Sequence, residues 1–238
     1  MNSQKLINKS VSLLDISKVE YTKGVEYQKS LFDEIINIKS ENRKNQTSVL
    51  TKNYFIFCEH NHVYTLGKNG NNKNFLADIK TQKKIGASFH LTNRGGDITY
   101  HGPEQIVGYP IIDLENFFTD LGKYMRGIEE VIIKTLSEFS IKAERSAGET
   151  GVWIDTKNNP RKICAIGVKT SRWVTMHGFA LNVNNDLSYF DHIIPCGISN
   201  KKVTSMKNEL NLDIDKSEVK RTIIKYFTKI FGMKFIVT

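Results

Sequence analysis

Apolar residues recur at helical spacing in three stretches of the chain. Over residues 24–39 they are Tyr27, Leu31, Ile35 and Ile38. Over 120–139 they are Leu121, Tyr124, Met125, Ile128, Ile132, Leu136 and Phe139, and Asp120 stands where a helix N-cap belongs. Near the end Val219, Ile223, Phe227 and Ile230 repeat the period. A stripe returning every three to four residues predicts amphipathic helices that turn one face to a core.

Between these stretches the apolar runs are short and strand-like. They are 54–58 (YFIFC), 63–67 (VYTLG), 89–93 (FHLTN), 105–112 (QIVGYPII), 151–155 (GVWID), 163–169 (ICAIGVK) and 173–183 (WVTMHGFALNV). Only Thr170, Ser171 and Arg172 separate the last two, which predicts an antiparallel hairpin. Pro110 lacks an N–H for a ladder, so it predicts a sheet edge or a bulge. The polar stretches 40–48, 67–74 and 155–162 read as connectors. None is long enough to be an interdomain linker, and no internal repeat is found. The expected fold is α+β, a mixed, largely antiparallel sheet packed with helices, in a single domain over 1–238.

Composition narrows the function classes. The 238 residues are 39% hydrophobic and 25% charged, as in ordinary globular proteins. No run approaches the ~20 apolar residues of a membrane span, and the N-terminal segment lacks a secretory apolar block. A cytoplasmic protein is expected. The net charge of +9 suits nucleic acid, an anionic membrane surface or an acidic protein. Lysines are scattered and no arginine-rich block exists, so charge alone does not choose among them. Three cysteines, Cys58, Cys164 and Cys196, make no disulfide framework, and no His/Cys cluster has zinc spacing. His60 and His62 would share a strand face, but surface or core histidines beside a strand explain them better than a metal site does. No metal is expected.

The densest chemistry lies in NRGGDITYHGPEQIVGY, residues 93–109. Arg94 offers a planar fork of donors, Gly95 and Gly96 permit close backbone approach to a ligand, and His101, Gly102 and Pro103 form a second turn. The stretch is neither a Walker loop nor a dinucleotide fingerprint. Among the thiols, Cys58 and Cys164 sit in apolar runs that bury them, whereas Cys196 lies in a turn between Pro195 and Gly197. A reactive thiol needs a partner that lowers its pKa from about 8.5. Lys162, His101, His177 and His192 all remain candidates for that partner on chemical grounds.

The motifs RGGDITYHGPEQ, RKICAIGVK, HGFALNVNNDL and IIPCGI, with HVYTLG ahead of them, occur in an order that resembles the octanoyltransferases of lipoate biosynthesis. The resemblance runs from about residue 59 to 206. It implies the fold of biotin and lipoate protein ligases. It also implies a dyad in which Cys196 is the nucleophile and Lys162 the acid/base. Substrate-lining positions would be Arg94, Gly95, Gly96, Asp97, Tyr100, His101 and Gly102, then Ala165, Ile166 and Gly167, then His177, Gly178, Ala180 and Asn182. The implied donor is octanoyl-acyl carrier protein. The implied acceptors are lipoyl domains of 2-oxoacid dehydrogenase complexes and the glycine cleavage H protein, with no cofactor, nucleic acid or membrane involved. Oxyanion donors would be backbone N–H groups of the Cys196–Gly197 turn or near Gly95–Gly96.

One residue departs from the family pattern. Glu104 stands where HGPGQ would place glycine, which predicts a strained loop and a charge beside the pocket. Two other functions fit parts of the sequence: an ATP-dependent lipoate or biotin protein ligase, and a non-catalytic nucleic-acid-binding protein. The thiol of PCG speaks against the first, and the absence of a basic stripe or known motif against the second.

Overall fold

The computed structural model describes residues 7–194 and 202–237. Cys196 lies outside the described residues. The chain runs β1 (Ser10–Val19), α1 (Tyr21–Asn45), β2 (Tyr54–His60), β3 (Val63–Leu66), α2 (Ile79–Ile85), β4 (Ser88–Leu91), β5 (Ile98–His101) and β6 (Gln105–Ile111). It continues through α3 (Leu121–Glu138), β7 (Val152–Ile154), β8 (Arg161–Ser171), β9 (Val174–Asn182), β10 (Lys202–Val203), α4 (Met206–Leu210), α5 (Lys216–Phe231) and β11 (Lys234–Val237).

The main sheet has the order β10-β8-β9-β6-β2-β1-β11, with β7 paired to β8. Its inner pairs β2–β6, β6–β9 and β8–β9 are antiparallel, while β1 runs parallel to both β2 and β11. A second sheet has the order β4-β3-β5. Strand β2 shows why the main sheet is hydrophobic throughout. Phe55 and Phe57 join the core under α3 and α5, while Tyr54, Ile56 and Cys58 join the core under α1. Helices cover both faces, so both sets of alternating side chains are buried.

The helices start where their caps dictate. Asp120 accepts from Lys123 N at 2.9 Å and Asp215 from Ser217 N at 2.8 Å. Helix α1 is longer than its apolar stripe, because Glu41, Arg43 and Lys44 of the expected connector continue it to Asn45. Those are good helix formers, and the two basic residues sit at the end the macrodipole favours. Its buried face is also not the expected one. Ile35 of the expected stripe is buried, but Tyr27 is 38% exposed, and Tyr21, Gly24, Gln28 and Phe32 join Ile35 on the buried face. Gln28 is drawn inward because its Oε1 accepts the His177 backbone N–H at 3.1 Å.

That bond explains Pro110. The proline sits inside the sheet in β6, not at an edge, opposite Phe55 of β2. The β6–β9 ladder runs from Gln105↔Asn182 to Gly108↔Phe179, then resumes at Asp113↔Val174. In the gap His177 takes φ +63° and turns its N–H to Gln28. A proline there leaves no ladder donor stranded.

Glu104 does adopt the left-handed conformation, φ +68°. Its carboxylate turns away from the expected pocket. Lys216 Nζ bridges it and Glu59 at 2.6 Å each, and the bond to Lys216 holds its pKa below the usual carboxylate range. A half-exposed pair is worth about 1 kcal/mol at most, and the left-handed backbone costs about 1 kcal/mol. Glu104→Ala loses the pair and keeps the strain, whereas Glu104→Gly loses both. Urea unfolding is expected to find the glycine variant more stable than the alanine variant by about 1 kcal/mol.

Candidate active site

A cavity of about 510 Å³ opens between strands β8 and β9 of the main sheet and the small sheet's β5 with the loop before it. That volume lies in the range of small-ligand sites. Of the sequence-derived positions, Arg94, Gly96, Asp97, His101, Lys162, Ala165, Ile166, Gly167, His177, Gly178, Ala180 and Asn182 line it. Three others do not. Tyr100 points into the core of Tyr64, Leu66 and Phe190 and bonds His62 Nδ1 at 2.7 Å. Strand alternation puts it on the face of β5 away from His101. Gly102 lies over the Tyr100 hydroxyl, where an added methyl carbon would come within 1.9 Å. Gly95 donates its N–H to Val168 O at 2.9 Å, so that group is unavailable to an oxyanion.

Lys162 is placed by its neighbours. Its carbonyl accepts from Thr204 N at 2.9 Å, and Val203 of β10 pairs with it in register. Arg161 beside it forms a bidentate pair with Glu209, both contacts 2.7 Å. The ammonium stands 4.6 Å from the centre of the Trp153 ring. Gly151, at φ +120°, lies against the lysine stem; an added methyl carbon would meet Cys164 O at 2.7 Å and Lys162 Cε at 3.5 Å. Cys164 itself is fully buried, and burial pushes its thiol pKa far up, as it does for Cys58. The described chain leaves at Ile194, whose N–H donates to Asn74 O at 2.8 Å, and resumes at Lys202, which pairs with Arg161.

The model of the lipoyl protein ligase A/B catalytic domain matches residues 21–228. The octanoyltransferase of Flavobacterium psychrophilum is 55% identical over 97% of this chain and all of its own length. That of Christiangramia forsetii is 54% identical over 94% of this chain and 97% of its own. The chain belongs to the octanoyltransferases of the lipoyl protein ligase A/B family. It is therefore an acyltransferase. Solved structures agree on the fold. The bipartite lipoate protein ligase of Thermoplasma acidophilum gives a TM-score of 0.68 at 17% identity, covering 97% of this chain and 87% of that one. A lipoate-protein ligase A bound with ATP gives 0.67 at 15%, covering 96% and 88%.

The transferase's buried polar side chains are mostly spoken for. The Arg94 guanidinium donates to Thr65 O (2.6 Å), Thr65 Oγ1 (2.9 Å) and Gly95 O (3.1 Å), so it braces the loop as it lines the cavity. Asp97 accepts from Asn74 Nδ2 at 2.6 Å and ties down the connector 67–74. His177 Nε2 faces Asn93 Oδ1 at 2.9 Å. His60 and His62 do not converge: one bonds Tyr109 and Val19 O, the other stacks on Tyr189. Sequence reasoning did not single out Tyr21, Tyr109, Gln105, Phe179, Phe190 or the turn Gly148–Thr150 as lining residues. Gln105 and Tyr109 lie inside the quoted loop motif and Phe179 inside HGFALN, so the motifs carried those three, while Tyr21 and Phe190 had no such signal.

Burial lowers the pKa of His101 and His177 to about 3 each, assisted by His60 and then Arg94 at His101 and by Arg94 at His177. Both are neutral in the folded enzyme, whereas an unfolded histidine gains a proton below about pH 6.5. The unfolded state thus binds more protons below pH 6.5, and stability falls as pH falls from there toward 3. Between pH 7 and 5 each histidine accounts for about 2 kcal/mol of that loss. His177→Asn, a residue tolerant of positive φ, is expected to shrink the pH 7-to-5 difference in urea unfolding by about 2 kcal/mol.

Proposed function

We propose that this enzyme moves an octanoyl group from octanoyl-acyl carrier protein to a specific lysine of lipoyl domains, through a thioester on Cys196 with Lys162 as acid/base. The acceptors are the lipoyl domains of 2-oxoacid dehydrogenase complexes and the glycine cleavage H protein. In the first half, the Cys196 thiolate attacks the thioester carbonyl carbon. The tetrahedral intermediate collapses with loss of the pantetheine thiolate, which takes a proton from Lys162. In the second half, the lysine amine attacks the acyl-enzyme, the C–S bond breaks, and Lys162 takes up the proton the amine gives away. An amide replaces a thioester, so the sequence runs downhill without ATP.

The observation that carries this reading is one cavity with Lys162 on its wall beside an apolar lining of Ile98, Ala165, Ile166, Phe179, Ala180, Phe190 and Val203. The first group suits proton exchange at a thioester, and the second suits an eight-carbon tail. The charge of +9 favours approach of acidic carrier and lipoyl domains.

The ATP-bound ligase neighbour motivates a second reading, adenylation of a free acid. The two separate by donor. Octanoyl-acyl carrier protein without ATP is expected to octanoylate a lipoyl domain. ATP with free octanoate is expected to give no product, and product from that mixture alone would replace the transferase reading with the ligase.

A further inference from the structure

A chain of side-chain amides runs from the backbone beside Lys162 to the cavity wall. It begins at Thr204, whose N–H donates to the Lys162 carbonyl. The Thr204 carbonyl can only accept, so the Asn182 atom that meets it at 2.9 Å is Nδ2. Asn182 Oδ1 therefore faces Gln105 Nε2 at 2.8 Å and Asn185 Nδ2 at 3.2 Å. Gln105 Nε2 also donates to the Tyr100 carbonyl at 3.3 Å. Two acceptors around Nε2 settle the amide, and its Oε1 is left facing His101 Nδ1 at 3.0 Å. An amide oxygen accepts, so Nδ1 holds the imidazole proton and Nε2 presents a lone pair. Every orientation follows from one carbonyl that cannot donate.

The ring of His101 lines the cavity, and no described residue donates to its Nε2. Tyr21 stacks at 6.3 Å and His60 meets it edge-on at 5.9 Å between centroids. His60 donates from Nδ1 to Val19 O, and its Nε2 accepts a hydrogen bond from the Tyr109 hydroxyl. Arg94 and His177 are the other titratable groups acting on His101, and both disfavour its charging. Near neutral pH the ring can therefore accept a hydrogen bond but not store a proton. The lone pair opens on the cavity, where a ligand N–H can meet it.

We propose that His101 Nε2 is a fixed neutral acceptor for a substrate N–H group, with Asn182 and Gln105 as the positioning residues that hold its tautomer. The proposal rests on the transfer reading above. Two groups in that chemistry carry such an N–H: the attacking lysine amine, and the pantetheine amide next to the donor thioester. A bond to either orients the reacting atoms without moving a proton.

The test joins a spectroscopic and a kinetic readout. In the full chain labelled with nitrogen-15 histidine, the resonance lost in His101→Gln identifies the ring. It is expected to show Nδ1 protonated and Nε2 bare between pH 6 and 8. Wild type with the proton on Nε2 overturns the proposal whatever the enzyme transfers. Gln105→Glu sets a carboxylate against Nδ1–H and is expected to raise the His101 pKa and move the acid limb of the rate profile upward. A merely structural glutamine would not shift that limb. His101→Leu is expected to slow one half-reaction about tenfold, whereas His101→Gln, which keeps an acceptor oxygen, stays within about threefold. Loss confined to the amine step assigns the lysine N–H; loss confined to acyl loading assigns the pantetheine amide. Neither step slowing in a folded His101→Leu overturns the proposal. Should that variant fail to fold, the wild-type tautomer and the Gln105→Glu profile decide. Absence of any octanoyl transfer in wild type strikes the function reading and leaves the tautomer result standing.

Discussion

Cys196→Ala is expected to remove acyl transfer, lowering the rate at least about 10³-fold while the protein stays folded. The nucleophile is the one group whose loss leaves no alternative route to the acyl-enzyme. Intact mass after incubation with octanoyl-acyl carrier protein is the direct check. Wild type gains one octanoyl group, and Cys196→Ala gains none. The other thiols are poor substitutes for a physical reason. Cys58 and Cys164 are fully buried, and desolvation holds each as the thiol far above neutral pH. Cys164→Ala therefore keeps the acylation. If acylation survived in Cys196→Ala and vanished in Cys164→Ala, the nucleophile would have to be reassigned.

Lys162→Ala is expected to slow both half-reactions by about 10²- to 10⁴-fold, the usual worth of a positioned acid/base. The fold should hold, because Lys162 is only partly buried and its strand is pinned by Thr204, Val203 and the Arg161–Glu209 pair. Lys162→Arg separates the two duties of the side chain. A guanidinium keeps the positive charge but does not give up its proton near neutral pH. Alkylation of Cys196 at pH 7 is then expected to stay near wild type in Lys162→Arg and to fall in Lys162→Ala, while turnover is low in both. Unchanged turnover in Lys162→Ala would remove it from the mechanism.

The elements legible in the chain are those whose pattern is local. The stripe 121–139 and its Asp120 cap form α3, and the expected β8–β9 hairpin forms, closed by the two-residue turn Arg172–Trp173 with both residues at positive φ while Thr170 and Ser171 extend β8. Strands β1 and β11 escaped the pattern. They pair Ser10–Leu13 with Lys234–Val237 across more than two hundred residues of chain, and no local window contains that partner. The buried face of α1 escaped for a related reason. Gln28 looks like a surface residue until the His177 N–H, 149 positions away, arrives to meet it.

At the site the division is similar. Residue chemistry marked the loop that carries Arg94 and His101 and left the partner of Cys196 open among Lys162 and three histidines; the resemblance of the ordered motifs to the octanoyltransferases selected Lys162. Strand alternation then set Tyr100 behind the cavity wall, and Lys216 drew the Glu104 carboxylate away from it. The tautomer of His101 depends on Gln105, Asn182 and the Thr204 carbonyl together. Residue identity and spacing therefore determined the family, the kind of chemistry and the local elements, since each follows from short-range geometry or from groups that have few other uses. Which side chains face the cavity, which donors are already taken, and which proton sits on which nitrogen were decided only by the tertiary structure. Hydrogen-bond partners and burial come from chain segments that meet only in the folded molecule.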